Sequence, residues 1–272
     1  MHLPMFQVDA FTNSQFKGNP AAVVILEKKI SADLMQQIAF ENNLSETAFI
    51  NISKTPFEIR WFTPTVEVDL CGHATLASAK VLFEYYPQVA GEVIEFTCLE
   101  HGILIAKKAD DEIFLDFPAD IATPANLSEE ISKAIKAEVN ECFVGETKLM
   151  AVVDNEKIVK ELKPDFSAVA KLDAMGLIVT AQSSTYDFVS RCFFPQTGVN
   201  EDPVTGSAHC VTAPYWAKKL TKKKLLAGQL SERGGELTCI VENDRVLIGG
   251  RAVLYLEGKV FKIVSNALRS DQ

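Results

Sequence analysis

The chain has 272 residues, 47% of them hydrophobic and 23% charged, which is enough to bury a sizeable core in one large domain or two small ones and argues against disorder. Its formal net charge of −9 disfavours binding to nucleic-acid phosphates or anionic lipid, because both attract basic surfaces. The sequence shows neither a signal peptide nor an apolar stretch of membrane-spanning length, and its six cysteines are scattered, so we expect a cytoplasmic protein with reduced and mostly buried thiols.

The first half of the chain is rich in short strand signals. Runs of β-branched and aromatic residues predict strands, at 21–26, 46–52 and 57–62. Ser31 precedes an apolar-periodic run and predicts a helix with this residue as its N-cap. Residues 102–117 then predict a hairpin that turns at 110–111.

The second half contains the same mixture of signals. Ser128 and Asp165 each precede a helix-like run and are predicted to be N-caps. The β-rich runs 237–250 and 252–264 predict two more hairpins, turning at Asn243 and Asp244 and at Glu257 and Gly258.

Two further helices, at about 73–86 and 207–220, differ from the others because neither carries a charge before Lys80 or Lys218. A helix without a charged face in its first turns is expected to be surrounded by protein. In a β-rich chain we expect a curved sheet to cover it. Pro214 lies inside the second helix and removes a backbone hydrogen bond, so we expect a kink or a late helix start.

A short pattern occurs twice, about half a chain apart. R-x-F-x-P begins at Arg60 and again at Arg191, and a glycine follows each copy at Gly72 and Gly206, with three extra residues in the second copy. The sequence therefore predicts two equivalent lobes, 1–119 with a central helix at about 73–86 and 127–272 with a central helix at about 207–220. The last strand is expected to cross back to the first lobe.

Each uncharged helix begins after a glycine-containing loop. If pseudo-two-fold symmetry aims both N-termini at one cleft, their free N–H groups and positive dipole ends favour a carboxylate or a developing enolate there. Gly72 and Gly206 would let the ligand approach the backbone closely. The alternative is that the glycines only make turns, and spacing alone leaves both interpretations open.

Four side chains are candidates for proton chemistry at that cleft. Glu46, at the edge of an apolar strand, is either a general acid/base whose pKa is raised by desolvation or a solvent-facing glutamate. His73 either donates to a carboxylate or shuttles a proton, or it caps its helix. Asp202 and Asn19 are either substrate ligands, with Asp202 also able to orient His73, or turn residues before proline.

Other chemistries fit the sequence less well. Ser207 lacks the glycine two residues before it that a nucleophile elbow needs, so it is not expected to be a hydrolase nucleophile. The four histidines have no ligand-like spacing, so we predict no metal site. The glycine motifs that bind dinucleotides or ATP do not occur, so we predict no cofactor.

Six segments carry a recognisable set of motifs: FQVDAFTNSQFKGNPAAVV (6–24), NNLSETAFI (42–50), DLCGHATLASA (69–79), LDFPA (115–119), NEDPVTGSAH (200–209) and GGRAVLYLEGKV (249–260). In this order they resemble the phenazine-biosynthesis PhzF-like isomerase family over nearly the whole chain, more weakly at about 120–185 and 220–245. The resemblance implies a mixed α/β (α+β) fold of the diaminopimelate epimerase-like type. In that fold, two pseudo-symmetric lobes each wrap a barrel-like, mostly antiparallel sheet around a central helix.

The resemblance also implies a function. The best-understood members of the family isomerise a dihydro-hydroxyanthranilate without cofactor or metal, and they are homodimers. The motifs place the acid/base glutamate on Glu46. The resulting site prediction comprises the catalytic residues Glu46, His73 and Asp202 and the substrate-binding residues Asn19, Cys71, Gly72, Thr205, Gly206 and Ser207.

Two alternatives to a single-glutamate isomerase stay open. Related epimerases and racemases use two bases, typically thiols, at the two helix N-termini; here Cys71 is one such thiol, but its counterpart Thr205 has no titratable group, which disfavours a two-base amino- or hydroxy-acid racemase. The other alternative is a non-catalytic ligand-binding or interaction protein of the same fold. The expected partners are a small carboxylate-containing substrate and a second copy of the chain, and neither nucleic acid nor membrane.

Overall fold

The computed structural model describes residues 2–100 and 102–261. The first half contains β1 (His2–Ala10), β2 (Asn19–Leu26), α1 (Ala32–Asn42), β3 (Glu46–Asn51), β4 (Phe57–Phe62), β5 (Glu67–Val68), α2 (Gly72–Tyr85), β6 (Val93–Cys98), β7 (Gly102–Ala109) and β8 (Glu112–Pro118). The second half contains β9 (Thr123–Pro124), α3 (Ser128–Ile135), β10 (Glu141–Val144), β11 (Lys148–Val152), α4 (Glu156–Glu161), α5 (Phe166–Val169), β12 (Gly176–Gln182), β13 (Phe188–Phe194), β14 (Val199–Asp202), α6 (Gly206–Leu220), β15 (Lys224–Gln229), β16 (Gly235–Glu242), β17 (Arg245–Gly250) and β18 (Ala252–Phe261).

The two halves have the same sheet topology. In the first half β1 is antiparallel to β2, β2 is parallel to β3, β3 is antiparallel to β4, β4 is parallel to β6, and β6, β7 and β8 form an antiparallel meander. In the second half β10, β11, β12, β13, β15, β16 and β17 follow the same series of antiparallel and parallel pairings. The duplication seen in the R-x-F-x-P pattern thus extends to the connections between strands.

Strand pairings also join the two halves. β8 pairs antiparallel with β17. β18 leaves the second half and pairs antiparallel with β1, from Ala10 opposite Ala252 to His2 opposite Phe261. The two-residue β9 follows β8 and pairs antiparallel with β10, within the second half. The pairings of β8 with β17 and of β1 with β18 therefore join the halves, and one continuous sheet runs through both.

The helices α2 and α6 lie inside the curved sheet. Residues 73–79 of α2 and residues 208–213 of α6 are buried without interruption. Because a helix turns once every 3.6 residues, such runs are covered on all sides, which explains why the first turns carry no charge. The predicted mixed α/β fold, with a buried helix in each half, is confirmed.

Pro214 does not delay the start of α6, so this part of the prediction is wrong. The helix runs from Gly206 through the proline to Leu220. Proline lacks the N–H that would bond to the carbonyl of Cys210, and this oxygen instead accepts a 3.0 Å hydrogen bond from the N–H of Asp120. A neighbouring segment thus supplies the hydrogen bond that the proline removes.

The predicted turn at Glu257 and Gly258 is also wrong. Both residues lie within β18, opposite Phe6 and Met5 of β1. The full-length pairing with β1 provides a ladder of backbone hydrogen bonds, which outweighs a local turn preference. Residues 262–264, the end of the predicted hairpin, lie outside the described residues.

The helix caps are predicted with mixed success. Ser31 accepts a hydrogen bond from the N–H of Leu34 and caps α1, and Asp165 caps the short α5, both as predicted. Ser128 instead is the first residue of α3, whose N-cap is Leu127. The six-residue helix α4 was not predicted, because its periodic run is too short to distinguish from a loop.

The helix lengths and the cysteines can be compared with the predicted cytoplasmic location and reduced thiols. No helix in the described parts of the chain is both long and apolar enough to cross a bilayer. All six cysteines are unpaired and buried, as the sequence predicted. The fold is therefore held by packing and strand pairing, without disulfide bonds between these cysteines.

Candidate active site

The repeated R-x-F-x-P pattern builds the same local structure in each half. Arg60 of β4 and Arg191 of β13 each hold a glutamate of the next short strand, Glu67 or Glu201, through two hydrogen bonds of 2.6–2.7 Å. Each guanidinium also lies over the ring of the phenylalanine two residues later. The second copy has its extra residues in the 3₁₀ turn Pro195–Thr197. Because each short strand leads into a central helix, the pattern fixes where α2 and α6 begin.

The two central helices meet at their N-termini. A Cβ placed on Gly72 would lie 3.7 Å from the Cα of Gly206, and one placed on Gly206 would lie 3.8 Å from the Cα of Gly72. Within the described residues neither helix has a side-chain N-cap bond, whereas α1, α4 and α5 all have one. Uncapped N–H groups from two helices therefore converge, an arrangement that favours an anion.

Glu46 is brought to these helix starts by the parallel pairing of β3 with β2, where it lies opposite Ala21. Its Oε2 is 3.2 Å from Nε2 of His73, in the first turn of α2. Both atoms are buried, and neither has a well-aligned hydrogen-bond partner in the part of the chain that the structure describes. Unpartnered buried polar atoms are rare in native proteins, so this pair marks a place where a bound molecule would supply contacts.

The hydrogen on the His73 ring is assigned from its neighbours. Its Nδ1 lies 3.2 Å from Nδ2 of Asn19 and 3.4 Å from Sγ of Cys71. The two hydrogens of the Asn19 amide are directed to the carbonyl of Val204 at 2.9 Å and to Oδ1 of Asp202 at 2.8 Å, so the thiol of Cys71 is the donor available to Nδ1. An NH₂ nitrogen does not accept a hydrogen bond, so we assign Nδ1 as the bare nitrogen and Nε2 as the one that carries the hydrogen, toward Glu46. Burial lowers the pKa of His73 to about 3, so the ring is a neutral hydrogen-bond donor.

Asn19 also connects the site to the second half of the chain. Its Nδ2 donates to Oδ1 of Asp202 at 2.8 Å, while the hydroxyl of Thr205 donates to Oδ2 at 2.6 Å. Burial raises the pKa of Asp202 to about 6, against the opposing effect of these two hydrogen bonds. At neutral pH Asp202 is therefore mainly a carboxylate that is held from both sides.

The charge states of Glu46 and Cys71 follow from their burial. Burial raises the pKa of Glu46 to about 8, and the negative charge of Asp202 adds to the shift. Burial also raises the pKa of the Cys71 thiol well above its usual value, as does the charge of Glu46. The thiol is thus protonated at pH 7, whereas Glu46 is mainly protonated with a minor carboxylate fraction that grows as the pH approaches 8. A carboxyl whose pKa is near the working pH exchanges protons effectively in both directions.

The remaining predicted residues form the two turns that start the central helices. Cys71 and Thr205 are the N-cap residues of α2 and α6, and Gly72 and Gly206 are the first helical residues. Ser207 follows in the first turn of α6, with its side chain exposed. The structure brings these turns together with Glu46, although the residues are far apart in sequence.

Gln229, at the end of β15, belongs to the site but was missed by the sequence analysis. It is fully buried; its Oε1 accepts from the N–H of Thr205 at 2.8 Å, and its Nε2 donates to the carbonyl of Asp202 at 2.7 Å. It therefore holds the turn between β14 and α6. The only local signal was a polar residue within an apolar strand, which does not indicate where the side chain points.

Three donor atoms at the site could in principle hold a cation. The ligand atoms of Glu46, Cys71 and His73 lie within 4.8 Å of one another. Binding of a cation there would require Cys71 to lose its proton and His73 to turn a lone pair toward the ion, so it would release protons from the site.

Comparison with known proteins identifies the family to which this chain belongs. The family described as phenazine biosynthesis-like protein (PhzC-PhzF) matches residues 8–258. The chain belongs to this PhzF-like family. An uncharacterized isomerase from Pseudomonas aeruginosa is 47% identical over 260 residues, covering 96% of this chain and 99% of the relative. The crystal structure of a PhzF family protein from Enterococcus faecalis has a TM-score of 0.93 at 47% identity and covers 96% of this chain and 100% of that chain.

The resemblance seen in the six sequence segments is thereby confirmed. The PhzF-like fold extends to more distant proteins, including a predicted epimerase from Pseudomonas aeruginosa with a TM-score of 0.75, 18% identity, and coverage of 96% of this chain and 100% of that chain. At this identity the likeness concerns the fold alone. The chain is thus a PhzF-like protein with the mixed α/β fold of that family.

Proposed function

We propose that this PhzF-like protein is a cofactor-independent isomerase that moves a proton within a small carboxylic-acid substrate, with Glu46 as the single acid/base group. The observation that carries the proposal is the unpartnered pair of Glu46 and His73 beside the meeting point of two uncapped helix N-termini. A carboxyl group that can transfer a proton therefore lies next to N–H groups that can bind an anion. Removing a proton from a carbon near a carboxylate requires a base and a group that stabilises the resulting negative charge.

The proposed reaction has two proton transfers. The Glu46 carboxylate first removes a proton from an activated C–H bond, and the electron pair enters the conjugated system of the substrate. N–H groups at the starts of α2 and α6 stabilise the negative charge that develops on oxygen. The protonated Glu46 then returns the proton to another carbon of that system. One C–H bond breaks and one forms, so the step needs no oxidant, reductant or other co-reactant.

The other site residues would bind and orient the substrate. His73, as a neutral donor, can hydrogen-bond an oxygen of the substrate without competing for the proton. Asp202 offers a carboxylate to a donor group on the substrate. Asn19 fixes both side chains through its amide, and Gly72, Gly206 and Ser207 line the helix starts that face the ligand.

The two-base alternative has less support. The Thr205 hydroxyl donates to Asp202 at 2.6 Å, so the position opposite Cys71 provides a donor where the second base should be. The raised pKa of Cys71 also lowers its thiolate fraction. We expect activity to be unaffected by iodoacetamide; inactivation that substrate prevents would favour the two-base reaction instead.

A purely ligand-binding role also has less support. It would be favoured if Glu46 pointed away from the helix ends, and the carboxyl instead lies 3.2 Å from the first turn of α2. Catalysis and binding are separated by measuring turnover and affinity on the same compound. A compound that binds at the site and never exchanges a proton with solvent or within itself would support the binding role.

The test of the proposed function is the Glu46→Gln variant, which resembles the protonated carboxyl but cannot accept a proton. The probes are small unsaturated carboxylic acids in D₂O, followed by NMR for double-bond shift or loss of C–H signal. We expect Glu46→Gln to lower the rate by roughly 10²–10⁴-fold with little change in affinity. Glu41→Gln, an exposed position on α1, is the matched control. An undiminished rate in Glu46→Gln would overturn the assignment.

A further inference from the structure

The thiol of Cys71 is a buried group that the proposed reaction does not use as a base. It is 7% exposed, and burial raises its pKa well above the usual value, so it keeps its hydrogen at neutral pH. Its Sγ lies 3.4 Å from Nδ1 of His73, in a hydrogen-bond contact. A buried S–H group therefore lies beside a ring nitrogen that can accept its hydrogen.

The other neighbour of this ring nitrogen does not supply a hydrogen. The amide nitrogen of Asn19 lies 3.2 Å from Nδ1 of His73, but its two hydrogens are directed to Val204 and Asp202. A buried polar atom left without a partner costs about 1–3 kcal/mol, so the thiol hydrogen favours a bare Nδ1. The carboxyl of Glu46 is a second acceptor near the thiol, and it competes less for this hydrogen while it is itself protonated.

The second half of the chain uses its corresponding residue in the same way. Thr205 has the N-cap position in α6 that Cys71 has in α2, and neither side chain caps its own helix. Thr205 instead donates its hydroxyl hydrogen to Oδ2 of Asp202 at 2.6 Å. In both halves the N-cap side chain thus lies against a polar residue of the site, and the first N–H groups of the helix are left for a ligand.

We propose that Cys71 is a positioning residue: its thiol donates to Nδ1 of His73 and thereby keeps the ring hydrogen on Nε2, which faces Glu46 and the substrate. This inference rests on the proposed function, because it treats His73 as a donor to the substrate. The hydrogen bonds form a chain from the thiol to Nδ1, and from Nε2 toward Oε2 of Glu46 at 3.2 Å. Cys71 acts through His73 and exchanges no proton with the substrate.

The opposite tautomer of His73 would serve the proposed reaction less well. With its hydrogen on Nδ1, the ring would direct an N–H group at the NH₂ group of Asn19, so two donors would face each other. The bare Nε2 would then offer no hydrogen to a substrate oxygen. It would also be an acceptor for the proton that Glu46 has to return. The thiol hydrogen therefore keeps the imidazole a donor and out of the proton transfer.

The tautomer is measured without substrate by long-range ¹H–¹⁵N NMR of the histidine rings, in which protonated and bare ring nitrogens resonate far apart. We expect His73 to carry its hydrogen on Nε2, with its signals identified from their loss in His73→Asn. His209 is an internal reference of the opposite kind. Its Nδ1 lies 2.8 Å from the carbonyl of Thr205, which only accepts, so its hydrogen is on Nδ1. A wild-type His73 with its hydrogen on Nδ1 would overturn the proposal.

The S–H stretching band in the Raman spectrum tests the donor itself, because hydrogen bonding moves this band to lower wavenumber. The difference between the wild type and Cys71→Ala isolates the band of Cys71. At pH 6, where Glu46 is mainly protonated, we expect the band to lie at the hydrogen-bonded position and to move to higher wavenumber in His73→Leu. A band that His73→Leu leaves in place would contradict donation to the ring.

Turnover then separates a positioning residue from a base. Cys71→Ala should lower kcat/KM roughly tenfold, as expected for one lost hydrogen bond, and Cys71→Ser, which keeps a hydrogen donor, should recover most of it. Cys142→Ala, which removes an equally buried thiol from another cluster, is the control and should keep the full rate. A base at Cys71 would instead lose orders of magnitude in both variants, and an unchanged rate in Cys71→Ala would also overturn the proposal. A wild type without isomerase activity would count against the proposed function, while the NMR and Raman results would still decide the hydrogen bond.

Discussion

At the scale of single residues, the site is governed by the removal of ionisable side chains from water. Burial disfavours whichever form is charged, so it raises the pKa of the Glu46 carboxyl to about 8 and lowers that of the His73 imidazole to about 3. Both groups are thereby brought toward neutral forms. One environment thus produces a carboxyl that can exchange a proton near neutral pH and an imidazole that stays a neutral donor.

Glu46 should make the stability of the fold depend on pH. Its pKa rises from 4.5 to about 8 on folding, so its contribution is fully present below pH 4.5 and is lost as the pH rises through 8. Relative to Glu46→Gln, which stays neutral, the wild type should lose on the order of 3 kcal/mol of unfolding free energy between these pH values. Urea unfolding of both proteins at pH 4.5 and 8 measures this; identical pH dependence would contradict it.

Gln229 should be required for the geometry of the second helix start. Gln229→Ala leaves the N–H of Thr205 and the carbonyl of Asp202 without their partner, so we expect a loss of about 1–3 kcal/mol in unfolding free energy. Activity should fall as well, because the backbone of the turn that carries Asp202 and Thr205 loses this support. Gln182→Ala, on an exposed end of β12, is the control and should change the unfolding free energy by less than about 0.5 kcal/mol.

At the scale of elements, the starts of α2 and α6 are built for binding and not for helix stability. Thr205 is a residue type that often caps helices, yet its hydroxyl donates to Asp202, and Cys71 caps nothing. A side-chain cap stabilises a helix by about 1 kcal/mol, so both central helices begin without this contribution. Within the described residues no side-chain cap bond occupies their first N–H groups, which leaves these groups available to a ligand.

Gly72→Ala should separate stability from activity. The added methyl would lie 3.7 Å from the Cα of Gly206, an ordinary van der Waals contact, so the unfolding free energy should change by less than about 1 kcal/mol. The methyl would occupy the space between the two helix starts, and we expect at least a tenfold loss of turnover. Gly91→Ala, on a loop where the added methyl would meet only the carbonyl oxygen of Val93 at 3.9 Å, is the control. Full activity in Gly72→Ala would contradict a ligand site between the helices.

At the scale of the whole molecule, the two halves are joined by strand pairing and by an ion pair whose carboxylate is buried. Arg233, from the second half, holds the 3%-exposed side chain of Asp9 at 2.8 Å and donates to the carbonyl of Gly18. Gly18 directly precedes Asn19. The contact between the halves is therefore continuous with the residue that links His73 and Asp202, so the relative position of the halves also positions the site.

Removing this ion pair should destabilise the molecule more than removing an exposed one. Arg233→Met leaves the buried carboxylate of Asp9 without its charged partner, although the N–H of Phe16 still donates to it, so we expect a loss of about 2–3 kcal/mol. Arg245→Met, which breaks a half-exposed pair with Asp116, should cost no more than about 1 kcal/mol. Thermal or urea unfolding compares the two, and equal losses would show that the cross-lobe pair has no special role.

The amino-acid sequence alone determined the features that depend on short-range chemistry. Ser31 and Asp165 act on N–H groups two or three residues later, so local order is enough to identify them as caps. The ion pairs of Arg60 with Glu67 and of Arg191 with Glu201 need the same residue types at nearly the same spacing. The duplication is therefore still recognisable in the sequence. The uncharged first turns of α2 and α6 likewise indicated burial, because charge is excluded wherever a helix is covered on all sides.

Only the tertiary structure decided which distant groups meet. Asn19 and Asp202 come together through strand pairings that no local pattern contains, and Gln229 joins them from a strand that gave no functional signal. The turn signal at Glu257 and Gly258 was overruled because pairing with β1 adds many hydrogen bonds along the strand. Local propensities are worth up to about 1 kcal/mol each, whereas pairing and burial act on whole elements at once. The charge states of Glu46 and His73 follow from that burial, which no single segment specifies.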